Sequence, residues 1–137
     1  MKIDLHTHTN FSACANKMNS WEELLKKAEN EKIKVLSITD HNTCIFHLLE
    51  NFVDTSQLFS GKIIPGIELD VVEEGIAFEL LAYNFDAKSV FDWAFDKYGT
   101  IQTRQQKLKN KLVKEIKKFD LEIDETNLFV GKTDYAH

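Results

Sequence analysis

The stretch KIDLHTH, residues 2–8, decides how the rest of the chain is interpreted. Apolar and polar side chains alternate over residues 2–6, which predicts a short β-strand. Two histidines follow at the end of that strand, and residues two apart in a strand point the same way, so His6 and His8 can face one common ion. A lone His-x-His pair is a weak signal, because most such pairs are solvated or packed in a core. The rest of the chain therefore has to support a metal site.

Strand and helix patterns alternate after this first strand. Ser20 and Glu23 have the spacing of a capping box, which predicts a helix that begins at Ser20. Pro65 lies inside the third predicted strand and suggests a bulge or an edge position. Further strands are predicted at 33–39, 62–69 and 76–83, and further helices at about 43–53, 88–98 and 101–119. This order predicts a single α/β domain, residues 1–137, with a mainly parallel sheet.

Polar side chains stand at the ends of two more predicted strands. Asp40 and His41 close the second strand, Glu68 closes the third, and Asp70 follows two residues later. The carboxyl ends of parallel strands meet at one edge of a sheet, so these groups should lie near the two N-terminal histidines. Imidazole and carboxylate are the ligands of zinc, manganese and iron. The pattern predicts a metal site.

Two acidic residues are candidates for contacting the histidine ligands of that site and not the ion itself. Asp4 and Asp40 could each accept a hydrogen bond from a ring N–H and so fix a histidine tautomer. Of the remaining histidines, His47 is expected to face solvent on the second helix. His137 ends the chain, and no role is expected for it.

The two cysteines, Cys14 and Cys44, give no disulfide framework. Cys14 lies near the predicted site and could supply a thiolate ligand, but a bystander role is favoured. Cys44 is expected to pack under the second helix.

Composition narrows the class of protein. The net charge of −5 and the apolar fraction of 43% indicate an ordinary globular domain, and they argue weakly against broad nucleic-acid binding. Residues 101–118 hold seven of the seventeen basic residues against one acid, Glu115. This segment could bind phosphate, although a solvated helix face is favoured. No leader or membrane-length apolar run is present, so a cytoplasmic location without membrane contact is expected.

The chain resembles the polymerase and histidinol phosphatase (PHP) family in three segments, which match the first motifs of the family in their order. They are DLHTHTNFS (4–12), SITDHNT (37–43) and PGIELD (65–70). The resemblance extends to LLAYNFD (80–86). It implies a distorted TIM-like barrel of seven strands and helices. It also implies one to three divalent ions (Zn, Mn or Fe) and hydrolysis of phosphate mono- or diesters. By the motifs, His6, His8 and Glu68 would hold one ion, and His41 would belong to another.

The chain also departs from the family pattern. Ala13 stands where the family usually has an Asp, and Glu79 stands where it often has a His, so Glu79 is a candidate ligand. The family's last ligands would lie beyond His137. We therefore expect the N-terminal portion of a longer, truncated barrel, with a possible homodimer covering its open edge.

Two functions follow from the motifs and the departures. The first is a phosphoesterase in which His6, His8, His41 and Glu68 form the catalytic centre. Its substrate would be a phosphorylated small molecule or a nucleotide, and Arg104 would contact the phosphate. The alternative is a non-catalytic metal-binding or interaction module.

Overall fold

The computed structural model describes residues 1–12 and 20–122 of the chain. The helix predicted from the capping box is confirmed, with the Glu23 amide donating to Ser20 Oγ at 3.2 Å and the Ser20 amide donating to Glu23 Oε2 at 3.4 Å. No helix in these two ranges is long and apolar enough to cross a lipid bilayer. The elements are β1 (Lys2–Thr7), α1 (Trp21–Asn30), β2 (Ile33–Ile38), α2 (Ile45–Leu49), β3 (Lys62–Ile63), β4 (Gly66–Glu73), β5 (Ile76–Tyr83), α3 (Ala87–Tyr98) and α4 (Ile101–Lys117).

The predicted α/β class is confirmed, and its strands form two sheets. One sheet is parallel with the order β1-β2-β3, and the other is the antiparallel pair β4-β5. An isolated parallel bridge between His41 and Glu68 joins the chain just after β2 to the middle of β4. The bridge brings the ends of β1 and β2 beside β4, so the polar residues at these ends share one rim.

The single strand predicted over residues 62–69 is wrong, because the chain breaks there into β3 and β4. The Ile64 amide still donates to Leu36 O at 2.9 Å, which continues the pairing with β2. Pro65 comes next and has no N–H to donate, so the ladder stops. Its carbonyl instead accepts from the Asn84 amide at 2.8 Å, at the end of β5. Pro65 thus marks the change from the parallel sheet to the hairpin.

A two-residue turn connects β4 to β5. Glu74 has a φ of 50° and Gly75 a φ of 80°. Positive φ at both central residues is the geometry of a type I′ turn, whose twist matches that of an antiparallel hairpin. The turn fixes the register of the hairpin, which places Glu68 opposite Leu81 and Asp70 opposite Glu79.

Two apolar clusters support these sheets. The first lies between α1, β2 and α2 and contains Leu25, Ala28, Ile33, Leu36, Ile38, Phe46 and Phe59. The second lies between the hairpin and α3 and contains Cys44, Ile67, Leu69 and Ala94. The burial expected for Cys44 is confirmed.

Two expectations for the second helix are wrong. The helix was predicted over about 43–53 but spans only Ile45–Leu49, so Phe52 lies beyond its end and is 86% exposed. His47 was expected in solvent and is only 1% exposed. Its ring has main-chain partners inside the molecule, which apolar periodicity does not reveal.

Candidate metal centre

Three imidazole rings surround one carboxylate oxygen at the rim. The Nε2 atoms of His6, His8 and His41 lie 3.0, 3.2 and 3.4 Å from Glu68 Oε2. The Glu68 side chain is 3% exposed, whereas that of His6 is 47% exposed, so the cluster opens to solvent on the β1 side. The rings of His8 and His41 are stacked, with centroids 4.9 Å apart. The structure therefore brings together four side chains from three separate segments.

This geometry fits a cation better than a set of hydrogen bonds. A carboxylate oxygen has two lone pairs, so it cannot form good hydrogen bonds with three ring nitrogens at once. Two ligand atoms that each lie ~2.1 Å from one zinc ion in tetrahedral geometry are ~3.4 Å apart. The observed separations of 3.0–3.4 Å match that spacing. Nitrogen and oxygen donors in this ratio suit zinc, manganese or iron.

The potential ligands fall into two groups. In each group, the donor atoms lie within 4.8 Å of one another. The first group is His6, His8 and Glu68, and the second is His41, Asp70 and Glu79. Glu68 Oε2 lies 3.4 Å from His41 Nε2, so it links the groups. The arrangement thus offers two neighbouring groups of donor atoms, each of which could hold a metal ion.

Asp70 belongs to the second group; the sequence pattern placed it near the predicted site, but it was not named as a ligand. Its Oδ1 lies 3.4 Å from His41 Nδ1. The signal was present in the sequence, because Asp70 follows Glu68 by two residues and so points from the same face of β4. Its partner in the hairpin register is Glu79. Antiparallel pairing thus brings these two carboxylates together, and the chain order alone does not show it.

Asn42 orients Asp70. The Asp70 amide donates to Asn42 Oδ1 at 2.9 Å, and Asn42 Nδ2 donates to Asp70 Oδ2. Burial raises the pKa of the Asp70 carboxyl. The hydrogen bonds with His41 and Asn42 and the charge of Arg104 outweigh burial, so the pKa lies below its usual range. Asp70 is therefore ionised at neutral pH and available to a cation.

Asp40 and Asp4 contact the main chain of the rim. The Asp40 carboxylate accepts from the amide and the hydroxyl of Thr9, both at 2.6 Å. Burial raises the pKa of Asp40 and outweighs these hydrogen bonds, which lower it. Asp4 Oδ1 accepts from the amide of His6 at 3.3 Å. Both aspartates thus hold the segment that carries the first two histidines through its backbone.

Tyr83 connects the two sheets across the site. Its hydroxyl donates to Leu5 O at 2.8 Å, which joins the end of β5 to β1. Burial and the charge of Glu68 raise the pKa of the Tyr83 phenol. The phenol therefore keeps its proton at neutral pH and holds β1, with His6, over β4.

A cavity of about 230 Å³ lies beside the rim. Its walls are mostly apolar, and Arg104 contributes the cationic group. Arg104 Nη1 is buried and has no hydrogen-bond partner among the described residues. The cavity also includes Asn10 and Thr43, which stand two residues after His8 and His41. The apolar residues that line it are Phe11, Ile45, Phe91 and Phe95.

Two residues singled out in the sequence, Ala13 and Cys14, lie outside the described ranges, as does His137. The buried Cys44 thiol lies 3.4 Å from Ala87 O, and burial raises its pKa to about 12. Cys44 is thus a packed residue of the second cluster.

Comparison with known proteins gives a family match and two similar structures. The family model described as "PHP domain" matches residues 4–124. An amidohydrolase from Chromobacterium violaceum, solved with sulfate and no metal, is 15% identical, with a TM-score of 0.62. A protein from Bifidobacterium adolescentis, assigned as a metal-dependent phosphoesterase, is 19% identical, with a TM-score of 0.62.

These likenesses show the fold. The alignment with the first structure covers 92% of this chain and 42% of the other, and that with the second covers 84% and 39%. The chain thus spans about two fifths of the length of either structure. None of the curated proteins matches it significantly.

Proposed function

The chain belongs to the PHP domain family, and on that premise we propose that it is a metal-dependent phosphoesterase. The observation that carries the proposal is the convergence of three ring nitrogens on Glu68 Oε2, with a second ligand group directly beside it. In each group, the donor atoms are close enough to share an ion. Such a paired site suits hydrolysis of a phosphate mono- or diester.

His6, His8 and Glu68 would hold one divalent ion, and His41, Asp70 and Glu79 would hold a second. Bound there, the ions would lower the pKa of water and neutralise the phosphate charge. The chain's own residues prepare this chemistry. Asn42 holds the Asp70 carboxylate in place and helps to keep it ionised. The two carboxylates of β4 and the one of β5 give the rim its negative charge.

The cavity beside the rim supports a substrate that carries both a phosphate and an apolar group. The Arg104 guanidinium is planar and donates pairs of hydrogen bonds, which suits a phosphate. Its buried Nη1 has no partner among the described residues, so a substrate oxygen could satisfy it. Phenylalanine rings at positions 11, 91 and 95 offer surfaces for an apolar or planar group. A phosphorylated small molecule or a nucleotide has this combination.

We also propose that residues 1–137 form one PHP domain that corresponds to the N-terminal part of a longer TIM-like barrel. Strand β5 carries exposed apolar side chains, with Phe78 44% and Leu80 48% exposed, and it is an edge of its sheet. Exposed apolar side chains on an edge strand favour a partner, and a second copy of the chain is the proposed one.

Phosphate release tests the proposal. Purified protein is incubated with Mn²⁺ and a panel of phosphate mono- and diesters, with His6→Ala/His8→Ala as the comparison. We expect release by the wild type and loss in the double variant. Full activity in the double variant would refute the assigned site. Metal uptake by the wild type without turnover on any ester would instead favour a non-catalytic metal-binding module.

A further inference from the structure

His47 contacts two of the backbone segments that carry the proposed metal ligands, although it is in neither ligand group. Its Nε2 lies 2.8 Å from the carbonyl oxygen of Ile38 and 3.1 Å from the amide nitrogen of Gly66. Its Nδ1 lies 3.3 Å from Glu50 Oε1. Ile38 ends β2, three residues before His41, and Gly66 begins β4, two residues before Glu68.

The His47 ring occupies the place of a main-chain hydrogen bond between β2 and β4. At the His41–Glu68 bridge, the Glu68 amide donates to Asp40 O at 3.3 Å and the Asn42 amide donates to Glu68 O at 2.7 Å. Two residues upstream, regular parallel pairing would join the Gly66 amide to Ile38 O. In this chain, the Gly66 amide donates to the His47 ring instead. The imidazole therefore replaces a main-chain acceptor.

We propose that His47 is a positioning residue that sets the location of Glu68 by completing this ladder through its side chain. The inference rests on the proposed metal site, since Glu68 is one of its proposed ligands. Gly66 is two residues from Glu68 on the same strand, so a displacement of Gly66 moves the Glu68 carboxylate as well. Gly66 is also tightly packed, because a Cβ there would lie 2.1 Å from Ser37 Oγ. The ring thus fixes a strand that has little space to adjust.

Nδ1 faces one acceptor, Glu50 Oε1, whereas Nε2 faces both an acceptor, Ile38 O at 2.8 Å, and a donor, the Gly66 amide at 3.1 Å. In the proposed arrangement Nδ1 carries the proton, because only that tautomer leaves Nε2 a lone pair for the Gly66 amide. A proton on Nε2 would instead be donated to Ile38 O and would leave the Gly66 amide without its acceptor. The ring is 1% exposed and packs edge-on against Phe46 at 5.3 Å, so rotation is restricted.

Nuclear magnetic resonance of the metal-free wild type tests the contact directly. We expect an unprotonated Nε2, a scalar coupling across the N–H···N bond between Gly66 and His47, and slow exchange of the Gly66 amide. A protonated Nε2 or a rapidly exchanging Gly66 amide would overturn the proposal. This measurement needs neither a variant nor a metal, so it stands even if the metal-site proposal fails.

Variants then test the consequence for the site. His47→Phe keeps a ring but removes both nitrogens, whereas His47→Gln keeps a donor and an acceptor near the Nε2 position. We expect His47→Phe to weaken Mn²⁺ binding roughly 10-fold, as is typical when an outer contact of a ligand is lost. His47→Gln should stay within roughly 3-fold of wild type.

A matched variant separates positioning from general stability. Phe59→Leu perturbs the same apolar cluster, and Phe59 is not among the described hydrogen-bond or ring partners of His47. It should lower the unfolding temperature and leave the Mn²⁺ affinity of the folded protein unchanged. Equal loss of affinity in Phe59→Leu and His47→Phe, or no loss in His47→Phe, would overturn the proposal. If His47→Phe does not fold, the comparison of His47→Gln with Phe59→Leu and the resonance data decide it.

Discussion

Asn42 holds Asp70 at both its backbone and its side chain, with Oδ1 accepting from the Asp70 amide at 2.9 Å and Nδ2 donating to the Asp70 carboxylate. Asn42 itself has a φ of 56°, a left-handed conformation that asparagine tolerates better than most residues. One side chain thus fixes the direction of a proposed ligand and keeps it ionised. The geometry of the second ligand group depends on this contact.

Replacing Asn42 with alanine should weaken the second ion site. The Asp70 carboxylate would lose a hydrogen bond that lowers its pKa, so it would bind a cation less well near neutral pH. We expect Mn²⁺ affinity at this second site to fall about 10-fold, with little change at the site of His6, His8 and Glu68. Calorimetric titration measures both. Asn110→Ala, on the exposed face of α4, is the matched control and should leave both affinities unchanged.

Replacing Glu68 with glutamine should disable the centre. The substitution keeps the shape of the side chain but removes the charge that three imidazoles face. We expect ester hydrolysis to fall by more than about 100-fold, a larger loss than that of an outer contact. Steady-state kinetics measures it. Glu73→Gln, at the exposed end of β4, is the control. Unchanged hydrolysis in Glu68→Gln would remove Glu68 from the proposed mechanism.

Divalent ions should stabilise the fold. A ligand that binds only the folded chain adds about 2.7 kcal/mol when its free concentration is 100 times Kd. For a chain of 137 residues, that corresponds to an increase of roughly 9 °C in Tm. Thermal unfolding with chelator and then with added Zn²⁺ or Mn²⁺ checks this. An equal shift in His6→Ala/His8→Ala would show that the ions bind elsewhere.

Replacing Arg104 with leucine should affect substrate binding more than the chemical step. A charge-assisted hydrogen bond contributes about 1.5–3 kcal/mol, so we expect KM to rise roughly 10- to 100-fold. The value of kcat should change less, because the proposed ions remain in place. Lys111→Leu removes a positive charge from an exposed position of the same helix and should leave KM unchanged. A fall in kcat alone would argue against phosphate binding by Arg104.

Cys44 should make the fold less stable in alkali. Its folded-state pKa is raised from 9.0 to about 12 by burial, so the folded chain keeps the thiol proton after the unfolded chain has lost it. This contribution is fully present below pH 9 and is lost as the pH rises toward 12, by about 1.4 kcal/mol per pH unit. Denaturant unfolding at pH 8 to 10.5 measures the slope. Cys44→Ala should show a shallower decline, and identical slopes would contradict the assignment.

Local signals in the sequence located most of the secondary structure. The capping box at Ser20 located the start of α1, and the apolar run over 76–83, which follows Gly75, located β5. The break at Pro65 and the antiparallel hairpin were not predicted, because strand direction depends on the turn that follows. The two residues Glu74 and Gly75 between two strand patterns are the sequence signal for such a hairpin.

The candidate site could be predicted where its residues stand at the ends of predicted strands. His6, His8, His41 and Glu68 were named from that pattern, and the structure places their side chains together. Contacts between elements were harder to predict. Asn42 and His47 act through partners 28 and 19 residues away, and no local periodicity identifies such pairs.

The single bridge between His41 and Glu68 has a mechanical consequence for the molecule. His6 and His8 stand on the parallel sheet, whereas Glu68, Asp70 and Glu79 stand on the hairpin. An ion bound by side chains of the parallel sheet and of the hairpin would cross-link these two sheets at the seam, which is the boundary between them. Opening of that seam would then require release of the ion, so binding would suppress this local unfolding more than fraying elsewhere.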